Sequence, residues 1–254
     1  MATPTGRRTS RTEAVVLRSV DYGDADRVVT LITEAFGIVP VMARGVRKGS
    51  RRFPGAVPPF ALLETEIGLG QGEVGRLAEA VPRRSFPLLL ADLDRMRAVG
   101  QQLDWLRRLL PPRQRDPEVF RTVVDLLAAV ADRPGQEARG LEVAFRARVA
   151  ALLGLEPNLE RCAGCGRAPR PGQAARFDPA AGGIVCRACG GGPIGLSGPA
   201  RTGLLEAVRA AWTEAFRPTS VPSPTANTVR DGGPDPIADA DHAVTAFLDY
   251  HARR

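Results

Sequence analysis

The residues best suited to chemistry are four cysteines, Cys162, Cys165, Cys186 and Cys189, which stand as CAGC and CRAC with twenty residues between the pairs. Each CxxC can turn two thiolates toward one point, and two such knuckles supply the tetrahedral sulfur set that structural zinc takes. Gly166 and Gly190 follow the knuckles, and glycine admits the positive φ that such turns often need. A disulfide or a redox pair is the competing chemistry. No βαβ pattern of thioredoxin type surrounds either pair, and no apolar signal segment opens the chain. The expectation is therefore one structural Zn²⁺ with a closed coordination sphere.

Catalysis finds few candidates. The two histidines, His242 and His251, both lie near the C-terminal end, and a Ser-His-Asp or Cys-His group would have to recruit one of them. The single lysine, Lys48, sits in RKGS without the spacing of a phosphate-binding loop. Four thiolates leave a metal no open position for substrate. The expectation is a protein that is not an enzyme, with a Mg²⁺-dependent carboxylate nuclease as the remaining enzymatic alternative.

The second group with chemical meaning is RGVRKGSRRFPGAVPPF, which carries Arg44, Arg47, Lys48, Arg51 and Arg52 and no acid. A basic loop beside an open strand face makes a groove that can follow a phosphate backbone, with nearby aromatic rings stacking on bases. Phe53 and Phe60 flank the run; each could stack or anchor, and Phe60, behind two prolines, reads as an anchor. The formal charge of +7 and pI near 10.2 also favour an acidic partner. That support is weak, because Lys48 is the only lysine among 35 basic residues, a bias that reflects genome composition more than function.

These groups need elements to hold them. With 254 residues, 44% of them hydrophobic and 25% charged, the chain has the composition of a soluble globular protein of one large or two modest domains. No apolar run is long enough to cross a bilayer, so no membrane partner is expected and the location is expected to be cytoplasmic. Residues 1–11 are polar and basic, with nothing to bury, and are expected to be disordered. Short β-rich runs follow at 12–20, 26–33, 38–46, 61–69 and 74–81, joined by tight turns. In the fourth, Leu63, Thr65, Ile67 and Leu69 share one face while Glu64 and Glu66 take the other. Five such strands over 12–86 predict a small closed barrel of OB-fold type.

After Pro87 the period becomes helical. Leu89, Leu93, Met96, Val99, Leu103, Leu106 and Leu110 form one stripe. A second helix is expected from Asp116 as N-cap with Pro117 at N1, and a third over 137–153, stopped by Gly154. Helical pattern returns from Ser197 through Trp212 and Phe216 and again over 239–252, around a Pro- and Gly-rich flexible insertion at 218–236. The expected class is α+β and multidomain: a five-stranded OB-fold barrel at 12–86, then a helical domain at 87–160 and 193–254 into which a four-cysteine zinc module at 161–192 is inserted.

The segments DYGDADRVVTLIT, ARGVRKGSR and PPFALLE, followed by helices and then CAGC and CRAC, together resemble the RecO family of bacterial recombination mediators over roughly residues 12–210. The resemblance implies a barrel that binds single- and double-stranded DNA. It implies annealing of complementary strands without ATP, and loading of RecA together with RecR onto DNA coated by single-strand binding protein. It also implies docking of that protein's acidic C-terminal tail on the helical domain, for which Arg95, Arg97, Arg107, Arg108, Arg121 and Arg146 are the candidate cations. By position, Arg44 falls at a basic residue of the family's DNA-binding strand, and Arg47, Lys48, Arg51 and Arg52 fall in its basic loop. Pro40 departs from the pattern, standing where some relatives have a further basic residue; the 218–236 insertion is a second departure. A reading of a different class is a zinc-stabilised protein-interaction scaffold that binds no nucleic acid.

Overall fold

The computed structural model describes residues 9–49, 51–131, 135–209 and 235–251. It divides into two compact units, Met1–Ala131 and Asp132–Arg254.

In the first unit, β1 (Ser10–Tyr22), β2 (Asp26–Thr33), β3 (Gly37–Ala43), β4 (Ala61–Gly68) and β5 (Gly75–Ser85) close into a barrel of order β1-β2-β3-β5-β4. All neighbours are antiparallel except β3 and β5, which are parallel. The length of β1 closes the ring. Its first half pairs with β4, and a register shift between Val16 and Arg18 bends the second half along β2, as a bulge at a barrel corner does. Order therefore begins before the expected Thr12: Ser10 and Arg11 pair with Ile67 and Glu66. Residues 1–8 of the expected disordered segment lie outside the described residues.

The alternation of branched residues fills the barrel from every strand, with Ala14, Val29, Leu31, Val39, Val41, Leu63, Ile67 and Leu77 all buried. Burying this apolar surface is the main favourable term. The polar groups that go in with it are paired: Thr65 Oγ1 donates to the Thr12 carbonyl at 2.8 Å, and Thr33 Oγ1 donates to the Gly37 carbonyl at 3.0 Å.

Two helices belong to this unit beyond a short first turn. The stripe expected from Leu89 onward is broken, because Asp92 accepts hydrogen bonds from the amides of Asp94 and Arg95 and starts a new helix. α1 is thus only Pro87–Leu90 and α2 is Leu93–Leu109. Leu93 lies on the exposed side, with Leu88 and Leu90, and the buried stripe runs through Val99, Leu103 and Leu106. α3 (Pro117–Ala131) starts as expected, with Asp116 Oδ1 accepting from the amides of Glu118 and Val119. The linker between α2 and α3 lies against β3: Arg113 N donates to the Ile38 carbonyl at 2.8 Å. Gly37 must be glycine here, since its φ is +65° and a Cβ would sit 1.9 Å from the Gln114 carbonyl oxygen. Gly37→Ala is expected to cost at least about 1–2 kcal/mol from the backbone alone, read as a lower denaturation midpoint.

The second unit holds α4 (Gly135–Leu152), a three-stranded sheet of order β7-β6-β8 (β6 Ala175–Asp178, β7 Gly183–Ile184, β8 Ile194–Leu196), α5 (Gly198–Arg209) and α6 (Pro236–His251). α4, α5 and α6 pack on one another, and α6 also meets β8. Gly154, at φ +80°, ends the α4 segment as expected. The expected insertion ends earlier than read, since Asp235 Oδ1 accepts from Ile237 N and starts α6 at Pro236. Trp212, Phe216 and residues 218–234 lie outside the described residues. The helices expected as one domain are divided between the units, α1 to α3 with the barrel and α4 to α6 with the cysteine module.

Candidate nucleic-acid interface and metal centre

Strand register builds the outer face of the barrel. Val29, Leu31, Val39 and Val41 point inward, so Val28, Thr30, Pro40 and Met42 face out. Val20 pairs with Val28, Val28 with Met42, and Met42 with Arg76. One row thus crosses four strands. Beside it, Arg18, Thr30 and Pro40 form a second row, and Tyr22 faces Asp26 in a third. The far end of this face is covered: Val15, Ile32 and Ile38 are buried, where α2 packs on β1 and Pro112 bridges to Ile38. The near end is open, with Val20 44% and Tyr22 61% exposed.

The basic run begins beside this open end, where Gly45 N donates to Asp26, and continues to β5, where the Arg52 carbonyl accepts from Ala80 N. Arg44 occupies the turn just after β3 rather than the strand itself. A 3₁₀ turn at Val46–Lys48 and another at Pro54–Ala56 follow. Val46, Phe53 and Val57 drop into the barrel core, which anchors the stretch that carries Arg47, Lys48, Arg51 and Arg52; these four and Arg44, just before the first anchor, are exposed. Anchoring limits where the charges stand. Phe53, at 1% exposure, is core and offers no face to a base; the Arg52 guanidinium lies 5.6 Å over its ring. Phe60, expected to anchor the loop to the barrel, is half-buried with its ring beside Gly100 of α2 and is not in the barrel core cluster.

The five cations are not equivalent. Arg47 reaches the Asp21 carboxylate at 3.7 Å and the Gly23 carbonyl at 3.3 Å. Asp21 also accepts from Arg27 Nε at 2.7 Å, and that bond, with the charges of Arg47 and Arg27, holds its carboxyl below the usual carboxylate range. Arg44, Lys48 and Arg51 make no ion pair among the described residues. Their charge is free to meet an anion. Tyr22 and Arg76 are missed by a reading of local sequence, Tyr22 because it sits in a turn-like DYGD and Arg76 because only strand pairing brings it beside Met42.

Elsewhere, each of the six helical arginines has a partner within its own unit. Arg95 donates to the Val130 and Ala131 carbonyls and pairs with Asp92, Arg97 pairs with Asp94, and Arg107 and Arg108 share Asp104. Arg121 donates to the Pro117 carbonyl, and Arg146 pairs with Asp241. These are ties within a helix or between helices of the same unit.

In the second unit the four cysteines do meet. Their sulfurs all lie within 4.8 Å of one another, and Cys165 Sγ stands 3.7 Å from Cys186 Sγ, too far for a disulfide. The knuckle turns close through Gly166 N to the Cys162 carbonyl and Gly191 N to the Cys186 carbonyl, with Gly166 and Gly190 at φ of +72° and +102°. A Cβ at Gly164 would be tight, standing 3.1 Å from that of Cys189 and 3.2 Å from its sulfur. The amides of Cys186, Cys165 and Gly164 hold the Cys162 thiol down to about 6, while the neighbouring sulfurs of Cys186, Cys165 and Cys162 push Cys189 up to about 12. Four clustered thiols resist shedding all their protons unless a cation takes their place. The donor set therefore suits a metal ion bound by Cys162, Cys165, Cys186 and Cys189.

Arg201 seats this module and is the other residue that sequence misses. It is 5% exposed on α5 and donates to the carbonyls of Leu159, Arg170 and Gln173. Phe177 of β6 packs edge-on against Phe247 of α6, their ring centroids 6.2 Å apart.

Comparison with known proteins adds to this geometry. Residues 8–86 match the family model described as Recombination protein O N terminal, and residues 90–217 match Recombination protein O C terminal. The chain is 36% identical over 254 aligned residues to a protein named DNA repair protein RecO from Anaeromyxobacter sp. (strain K), covering 94% of this chain and 90% of that one. Proteins of the same name from Geobacter sulfurreducens and Myxococcus xanthus are 37% and 35% identical over 72% and 70% of this chain, and 75% and 71% of theirs. No helix among the described residues is long and apolar enough to cross a membrane.

Proposed function

This chain belongs to the RecO family of DNA repair proteins, and we propose that it is a DNA-binding recombination mediator whose contact surface is the open outer face of the barrel. The observation that carries this reading is the open face itself: an exposed tyrosine and apolar row ending on Arg76, followed after β3 by a basic run in which Arg44, Lys48 and Arg51 are exposed and have no ion-pair partner among the described residues. A single strand needs both parts, cations along its phosphates and a ring to stack its bases. The protein anneals complementary strands without ATP and, with RecR, helps load RecA on DNA coated by single-strand binding protein, in the bacterial cytoplasm at the nucleoid. It performs no bond chemistry of its own. The acidic C-terminal tail of single-strand binding protein docks on the helical segments. Leu93 and Arg97, one helical turn apart on the exposed side of α2, supply the apolar and basic contacts that such a tail requires.

The metal is zinc, held for structure. Four sulfurs about 2.3 Å from a tetrahedral zinc ion stand about 3.8 Å apart, which the 3.7 Å separation of Cys165 and Cys186 supports.

The direct test is annealing of complementary oligonucleotides, with and without single-strand binding protein and without ATP. Accelerated annealing supports the mediator; none, together with no oligonucleotide binding at moderate salt, would leave the protein-only scaffold as the better reading. Within the mediator reading, Tyr22→Ala is expected to weaken single-strand binding by about tenfold, the range of one base–aromatic stack. Tyr22→Phe should keep most of the affinity, as judged by fluorescence titration.

A further inference from the structure

The cysteine module carries a cleft that the barrel reading does not use. It has a volume of about 850 Å³ and its walls include Arg167, Arg170, Arg176 and Arg187 with no acidic residue. Arg176 is occupied, donating to the Gly192 and Pro193 carbonyls. The side chains of Arg167, Arg170 and Arg187 are exposed and have no hydrogen-bond or ion-pair partner among the described residues. Over residues 161–192 the chain has five arginines and one acid, Asp178. A divalent ion on four thiolates leaves two formal negative charges, so the module keeps a net charge of +2 (5 − 1 − 2).

The floor decides what kind of anion fits. Ala168, Pro169, Ala175, Ile184 and Val185 line it, and no aromatic ring does, so nothing in the cleft can stack an unpaired base. Guanidinium groups match phosphate oxygens in pairs. In a duplex the bases are already stacked on each other and only sugar and phosphate face outward. We propose that the cleft of the cysteine module is a second nucleic-acid site, one that grips the phosphate backbone of duplex DNA through Arg167, Arg170 and Arg187. This rests on the reading of the barrel as the single-strand site and divides the work between the two units: the barrel takes the unpaired strand, and the module takes the paired product.

The test is a polarisation titration of the full, metal-loaded protein with a labelled duplex and, separately, a labelled single strand across a salt series. The variant Arg167→Glu/Arg170→Glu/Arg187→Glu is expected to lose at least about tenfold in duplex affinity. Its duplex salt slope should flatten by about 2–3 units, at roughly 0.9 for each phosphate no longer neutralised. Single-strand affinity should change less than about twofold. The milder Arg→Gln triple variant should show the same pattern with retained metal content, which separates removal of the phosphate grip from collapse of the module. Unchanged duplex affinity would overturn the proposal and leave the cleft to an acidic protein segment. Equal losses for both DNA forms would also overturn it, as would a wild-type protein that does not bind duplex. A failure of the barrel reading shows separately, as single-strand affinity indifferent to Arg44, Lys48 and Arg51.

Discussion

Cys162→Ser is expected to release the metal and destabilise the second unit together. Cys162 is the most buried of the four ligands, at 3% exposure, and its sulfur accepts the Cys186 amide at 3.2 Å. The substitution therefore removes a ligand and also the link between the two knuckles. The module has little else to hold it. Its sheet strands are two to four residues long, and it meets α6 through Phe177 and through β8. Structural zinc contributes roughly 10–16 kcal/mol to small zinc-dependent peptides at neutral pH. Here Arg201 and Phe177 brace the module as well, so the expected loss is smaller but at least about 3 kcal/mol. Metal content by atomic absorption and the thermal midpoint should fall together, while single-strand affinity, which the proposed function assigns to the barrel, should stay within about twofold. A variant that lost its metal and kept its melting temperature would show that the ion is not structural.

The cysteine set is legible from sequence because a CxxC pair is local: spacing alone brings two sulfurs together, and Gly166 and Gly190 announce the turns. The five strands are legible for a similar reason, since the alternation of Leu63, Thr65 and Ile67 is written within one strand. What stays hidden depends on partners distant in the chain. Arg76 joins the outer face only through the parallel pairing of β3 with β5, and no local pattern announces that register. Tyr22 reads as a turn residue until the β1–β2 pairing runs to the end of the hairpin. Phe53 and Val57 look like flanks of a solvated loop, yet they enter the barrel from its end. The broken stripe at Asp92 shows a cap overriding hydrophobic period, and Arg201 shows a charge buried because three carbonyls await it. Composition finds the basic run but cannot separate its members. The structure does, because Arg47 is drawn to Asp21 while Arg44, Lys48 and Arg51 have no ion-pair partner among the described residues.

That distinction leads to the second large effect. Arg44→Ala/Lys48→Ala/Arg51→Ala removes three cations of the basic run that have no ion-pair partner among the described residues, without touching the residues that anchor the loop. Each charge-assisted hydrogen bond to phosphate is worth about 1.5–3 kcal/mol, so single-strand affinity should fall on the order of a hundredfold or more at moderate salt. Arg47→Ala alone should cost less, because its guanidinium already serves Asp21. The fold should survive, since Val46, Phe53 and Val57 remain.

The most direct measurement is the salt dependence of single-strand binding for the wild-type protein and this triple variant, titrated by polarisation with one labelled oligonucleotide. If the barrel face holds the strand, the slope of log affinity against log salt should flatten by about 2 units, at roughly 0.7 for each single-strand phosphate no longer neutralised. A triple variant with wild-type affinity and an unchanged slope would mean that the strand binds elsewhere.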